Sequence, residues 1–179
     1  MLFRSACLPE IWGITDFFLL DLFKFHMNTE PEYIYTFASS VGNINTYTAM
    51  LSLHLGASVA LFVCSKCKWE SVLTYVVVAI SSFAIVMGIS DNALLAAGTV
   101  FAFLPLGAWT SRKNITRFFI AASTFATSVL ITAKLTTQHA TMAIAAEGSV
   151  FVSLGKTKAF MMVTVALWIF TILRSEERR

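Results

Sequence analysis

The chain has 179 residues, of which 57% are hydrophobic and 13% charged, and its mean hydropathy is +0.74. Globular domains run about 45–50% apolar and about 25% charged, so this chain has too little polar surface to coat a soluble particle of its size and reads as a one-domain integral membrane protein. The net charge of +3 includes no tract of the kind that binds nucleic acid; the densest basic cluster, the terminal RSEERR, also carries glutamates.

The N-terminal stretch MLFRSACLPEIWGITDFFLLDLFKF is interrupted by Glu10, Asp16 and Asp21, which argues against a secretory signal, and it is too acidic for a mitochondrial presequence. Residues 11–26 place Ile11, Phe18, Leu19, Leu22 and Phe25 at helical spacing, with Asp16, Asp21 and Lys24 breaking the apolar surface. That pattern predicts an amphipathic helix in the membrane interface, within a segment covering residues 1–45. The alternative is a helix outside the bilayer packed on the rest of the chain. Pro31 then breaks the pattern, and Tyr33 and Tyr35 suit the headgroup belt.

Apolar runs follow at Thr46–Cys64, Ser71–Ile89, Ala93–Thr110 and Thr116–Ala133. Each approaches the roughly 20 residues that carry a helix across a 30 Å hydrocarbon core. The connections SKCKWE, SDN and SRKN allow only tight antiparallel hairpins, so residues 46–134 are predicted to form a four-helix transmembrane core. Pro105 in the third run frees the carbonyl of Phe101 and predicts a kink. Residues 135–157 are too polar to span and are read as an ordered polar loop, partly helical, with a short extended piece at SVFVSL. Residues 158–174 read as a fifth transmembrane helix, and 175–179 as a charged tail. The predicted fold is thus an all-α polytopic transmembrane bundle of 4–5 spans plus the N-terminal interfacial helix.

Lys66, Lys68, Arg112, Lys113 and Arg117 lie on the first and third connections, and Arg174, Arg178 and Arg179 follow the fifth run. This predicts that those ends face the cytoplasm, although Lys134, Lys156 and Lys158 count the other way.

Three cysteines, Cys7, Cys64 and Cys67, cannot build a disulfide framework. The pair in CSKCKWE looks like a redox motif, but it is read as lying at a helix C-terminus, where the dipole disfavours a thiolate. Zinc needs four ligands, and Cys7, His26, His54 and His139 are not in paired spacing. Juxtamembrane cysteines beside basic residues suit S-palmitoylation, so Cys64 and Cys67 are either acylated or plain boundary residues, with redox and metal roles behind.

His54 stands near the middle of the first run, where an ionisable group is a functional candidate by default. No acidic or basic partner lies within any run, which predicts a neutral imidazole hydrogen-bonded to a serine or threonine of a neighbouring helix. Small residues recur at Ser52, Gly56 and Ala60, at Ala84 and Gly88, and at Thr124, Ser128 and Thr132. Such faces let backbones approach closely and predict helix packing rather than a pore. Asn114-Ile-Thr116 is a glycosylation sequon expected to be unused on the cytoplasmic side. There is no phosphate loop, nucleophile elbow or metal helix, so no catalytic, cofactor-binding or metal-binding residues are nominated.

The close set of spans, the brief basic hairpins and the stretch NALLAAGTVFAFLPLGAWTSRKNITRF resemble the small virion membrane protein family of insect negeviruses and plant kitaviruses over about residues 46–134. Two features depart from that family: its highly charged N-terminal tail is missing, and a fifth span is present. The resemblance implies an abundant envelope protein that self-associates laterally and is made in host endomembranes. The sequence is therefore read as a non-enzymatic structural membrane protein whose partners are lipid and either copies of itself or other membrane subunits. The alternatives are an accessory subunit of an organellar membrane complex, or a small transporter or redox enzyme using His54 or Cys64 and Cys67. No internal symmetry between the first and second pairs of spans supports a transporter.

Overall fold

A computed structural model of the chain describes residues 2–18, 20, 41, 43–108, 111–138 and 149–176. Among them all regular structure is helical: α1 (Leu2–Phe17), α2 (Ile44–Cys64), α3 (Lys68–Met87), α4 (Asp91–Ala108), α5 (Arg112–Gln138), the short α6 (Val150–Gly155) and α7 (Lys158–Glu176). Helices α2, α3, α5 and α7 are long and apolar enough to cross a membrane, and α4 is a shorter apolar helix that continues through Pro105.

Local chemistry sets the boundaries. The Asn43 side chain accepts from the backbone N–H groups of Asn45 and Thr46, satisfying donors that the first turn of α2 leaves unpaired. At the other end of α2, cations of α5 take over the exposed carbonyls. Lys113 Nζ donates to the Ser65 carbonyl at 3.4 Å, and the Arg117 guanidinium donates to the Ser65 and Val63 carbonyls while lying over the Phe62 ring. Cations at a helix C-terminus also complement its dipole. The turn from α3 to α4 passes through Gly88 and then Ile89, whose φ of 47° is unusual for a β-branched residue.

Side-chain pairings fix the directions. Asn92 bonds Asn45, and Val100 faces Gly56, so α4 runs parallel to α2. Tyr75 meets Thr124, and Ser82 meets Ser128, so α5 runs parallel to α3. Trp168 donates to Thr127, while Thr171 meets Ser123, so α7 returns antiparallel along α5. These directions bring Lys66, Lys68, Arg112, Lys113, Arg117 and Arg174 to one end of the bundle. Lys134, Lys156 and Lys158 lie at the other. We expect the first end to face the cytoplasm. In a variant whose native cysteines are serine, Ser111→Cys should resist an impermeant thiol reagent in intact cells and react after permeabilisation. Labelling in intact cells would reverse the topology.

The core joins Tyr47, Leu51, Leu55 and Val59 of α2 to Val78 and Ile85 of α3, Ala93 and Ala97 of α4, and Phe118, Ala121 and Val129 of α5. Large apolar residues also face outward, among them Leu53, Leu73, Leu95 and Phe103. The hydroxyls do the opposite: Ser58, Ser81, Ser82, Ser123, Ser128 and Thr132 are fully buried. Lipid tails are as apolar as leucine, so in a bilayer an outward leucine has no cost. Inside, Ser58, Ser81, Ser123 and Ser128 reach hydrogen-bond partners, while the Ser82 and Thr132 hydroxyls have none among the described residues.

Three expectations are corrected here. The N-terminal helix spans Leu2–Phe17 rather than residues 11–26, whose later part lies outside the described residues. It also lies along α2 and α3 instead of across their ends. Glu10 sits beside His54 and Ser81, Gly13 beside Tyr47, and Phe17 beside Met87, so α1 is parallel to α3. The physical reason is that its polar face turns inward: Glu10 and Asp16 are buried, while Leu8 and Ile11 are exposed. Second, the region read as a polar loop begins within α5, which extends to Gln138, and its SVFVSL stretch is helical in α6 rather than extended. Phe151 and Val152 are adjacent and both buried, which a strand packed on one face would not allow. The charged tail likewise starts as the last turn of α7.

Candidate functional site

The sequence of α1 places Glu10 and Gly13 three residues apart, neighbours on one side of the helix, and both are buried. Gly13 makes the closest approach. A Cβ there would stand 1.9 Å from the Tyr47 hydroxyl and 2.5 Å from the ring carbon bearing it, so only glycine lets α1 settle on Tyr47. That approach delivers Glu10 into the interior.

Glu10 is 0% exposed. Its Oε1 lies 2.6 Å from His54 Nδ1, and the Ser81 hydroxyl stands 3.0 Å from Oε1 and 3.2 Å from Oε2. Ser81 Oγ is also 3.4 Å from His54 Nδ1. The Tyr47 hydroxyl donates to the Glu10 backbone carbonyl at 3.5 Å. A carboxylate, an imidazole and a hydroxyl from three helices thus converge in one buried cluster. At 2.6 Å one proton lies between Nδ1 and Oε1, on whichever side, and the Ser81 hydroxyl occupies a further lone pair of the carboxylate.

The expectation that His54 has no ionisable partner is corrected by this cluster. The partner comes from 44 residues away, on a helix that is not itself a span candidate. The expected serine contact is present as well, but the carboxylate is the shorter one. Glu10, Ser81, Tyr47 and Gly13 were not singled out from the sequence. The available signal was a glycine, Gly13, one turn after the acidic Glu10.

The geometry limits the chemistry. Activation of a hydroxyl by an imidazole puts the carboxylate on one ring nitrogen and the hydroxyl on the other. Here both meet Nδ1, and Ser81 is fully buried. The arrangement ties three helices together through one buried polar cluster.

The remaining nominated residues lie elsewhere. Cys64 is the last residue of α2 and Cys67 is the N-cap of α3, both exposed and free. Placing both at a helix C-terminus was therefore wrong for Cys67. Cys7 is half-buried, and burial followed by the charge of Glu10 pushes its thiol pKa up. Among the described residues no three histidine, cysteine, aspartate or glutamate side chains gather as a metal site; His26 and His139 lie outside those residues.

Ser52, Gly56 and Ala60 are half-buried, and Gly56 faces α4, where a Cβ would meet Val100 Cγ2 at 3.4 Å. Gly56→Leu is expected to strain the α2–α4 contact by about 1–3 kcal/mol, nearer the lower figure because the Val100 methyl can yield. Thermal unfolding in detergent measures this, and a variant as stable as the parent would place that face against lipid. Ala84 and Gly88 are buried in and just after α3. Thr124 and Ser128 meet α3, Ser128 by donating to the Ser82 carbonyl.

Comparison with protein-family models, with curated proteins and with solved structures finds no match. The spans therefore decide the class. This is a multi-pass membrane protein.

Proposed function

We propose that the chain is a non-enzymatic structural component of a bilayer that associates laterally with copies of itself through α7. The observation that supports this is the bareness of that helix. Only 11% of its apolar stretch is buried inside the chain, against 44–50% for α2, α3 and α5. A seam of Thr164, Trp168 and Thr171 faces α5, while Met162, Val165, Ile169, Ile172 and Leu173 form an exposed stripe. The resemblance of residues 46–134 to small virion membrane proteins gives this reading its setting, an envelope protein made in host endomembranes.

Blue-native electrophoresis of the protein expressed alone tests it. Multiples of the protomer are expected, and Ile169→Trp should redistribute them. A parent that runs only as a monomer overturns self-association and assigns the stripe to lipid; a fixed complex with a foreign membrane subunit favours the accessory-subunit reading.

The buried Glu10–His54 pair favours a second reading, a small proton-handling transporter, because paired ionisable groups at the depth of the spans mark such pathways. Proteoliposomes with an internal pH dye separate the two. Proton flux lost in Glu10→Gln would support transport, and equal passive leak in both proteins would remove it.

A further inference from the structure

We propose that Cys64 and Cys67 are an S-acylation site, taking long-chain fatty acyl groups from a thioester donor of the acyl-coenzyme A class. This goes beyond the structural reading and needs only the multi-pass placement.

The thiols occupy the ends of two spans, separated by Ser65 and Lys66. Both are exposed and free, and both stand at the basic end of the bundle. Each also heads its own outward apolar stripe. Below Cys64 on α2 lie Leu61, Ala57 and Leu53, all exposed and spaced three to four residues apart. Below Cys67 on α3 lie Trp69, Val72, Leu73 and Val76, also exposed, with Trp69 at 77%. An acyl chain attached at either sulfur can therefore turn at once into the bilayer and lie along an apolar helix face. Lys66 and Lys68 are exposed beside the thiols and attract both an anionic leaflet and the phosphates of the donor.

The transfer balances without a redox partner. The cysteine sulfur attacks the thioester carbonyl, a new sulfur–acyl bond forms, the bond to coenzyme A breaks, and the cysteine proton leaves with the coenzyme A thiol. Cys7 is the internal contrast. It is half-buried beside the buried Glu10, alongside the spans rather than at the end of one, so it should stay unmodified.

The full chain expressed in eukaryotic cells, fed an alkynyl palmitate analogue and analysed by hydroxylamine-dependent mass-tag exchange, provides the test. The parent is expected to carry up to two tags. Cys64→Ser and Cys67→Ser should each lose one, the double variant should fall to background, and Cys7→Ser should match the parent. Equal yield and thermal unfolding of the double variant would show that the loss is chemical and not a failure to fold. An untagged parent, or tags that persist in the double variant, would overturn the proposal. So would a collapse of the double variant that zinc or oxidant prevents in the parent, since the thiols would then be structural.

Discussion

Glu10→Ala is expected to lower the stability of the bundle by about 3–5 kcal/mol, the range for removing one partner of a buried ionic pair. The loss arises less from the missing contact than from what remains. His54 and Ser81 stay buried, and both lose the Glu10 carboxylate. Glu10→Gln keeps a carbonyl and adds an amide at nearly the same place, so it should cost much less. Side-chain hydrogen bonds between membrane helices average about 0.6 kcal/mol and reach about 1.7. Replacing both residues, Glu10→Leu with His54→Leu, should recover most of the loss, because an apolar pair of similar volume leaves no stranded charge. Thermal unfolding in detergent orders the four proteins, and proteolysis within α1 reports whether that helix has come away. An alanine variant within about 0.5 kcal/mol of the parent would mean that the pair bears no charge and that α1 is held by Tyr47 and Gly13 instead.

Four of the five runs read as spans were legible because hydropathy and length decide them directly; the run Ala93–Thr110 is the shorter apolar helix α4. The runs Thr46–Cys64 and Ser71–Ile89 became Ile44–Cys64 and Lys68–Met87, and the fifth, read over 158–174, became Lys158–Glu176. Lysine and arginine at the hairpins marked one end, and the observed directions of α5 and α7 bring Arg174 to that same end. The inner helix and the site were less legible, for one physical reason. An amphipathic helix in the interface turns its apolar residues, Ile11 and Phe18 among them, to lipid and its polar residues to water. In lipid the polar face goes inward, so Leu8 and Ile11 look out and Glu10 looks in. Once α1 was assigned to the interface, no carboxylate remained within reach of His54. The pair spans 44 residues of sequence, and no local pattern connects its halves. The α6 helix was obscured in a similar way, since alternation over six residues fits a strand as well as a short helix.

Gly155 is the position where that short helix is held most tightly, and Gly155→Ala is expected to destabilise the protein by about 1–3 kcal/mol, with Gly155→Leu costing more. A Cβ at this position would lie 2.6 Å from the Ala133 Cβ and 2.8 Å from the Val129 carbonyl oxygen. Neither neighbour can rotate away, because one is attached directly to the α5 backbone and the other is part of it. Replacing glycine inside a helix gains at most about 1 kcal/mol, so the clash wins. Strain here should lift α6 from α5 and unseat Phe151, whose ring packs edge-on against Phe125. Gly98 supplies the matched control: a Cβ there meets nothing within 4 Å, so Gly98→Ala should be neutral or slightly stabilising. Thermal unfolding of the three variants distinguishes the contact from any general intolerance to alanine. If Gly155→Leu unfolds with the parent, α6 does not rest on the α5 backbone, and the C-terminal third of the bundle is packed differently.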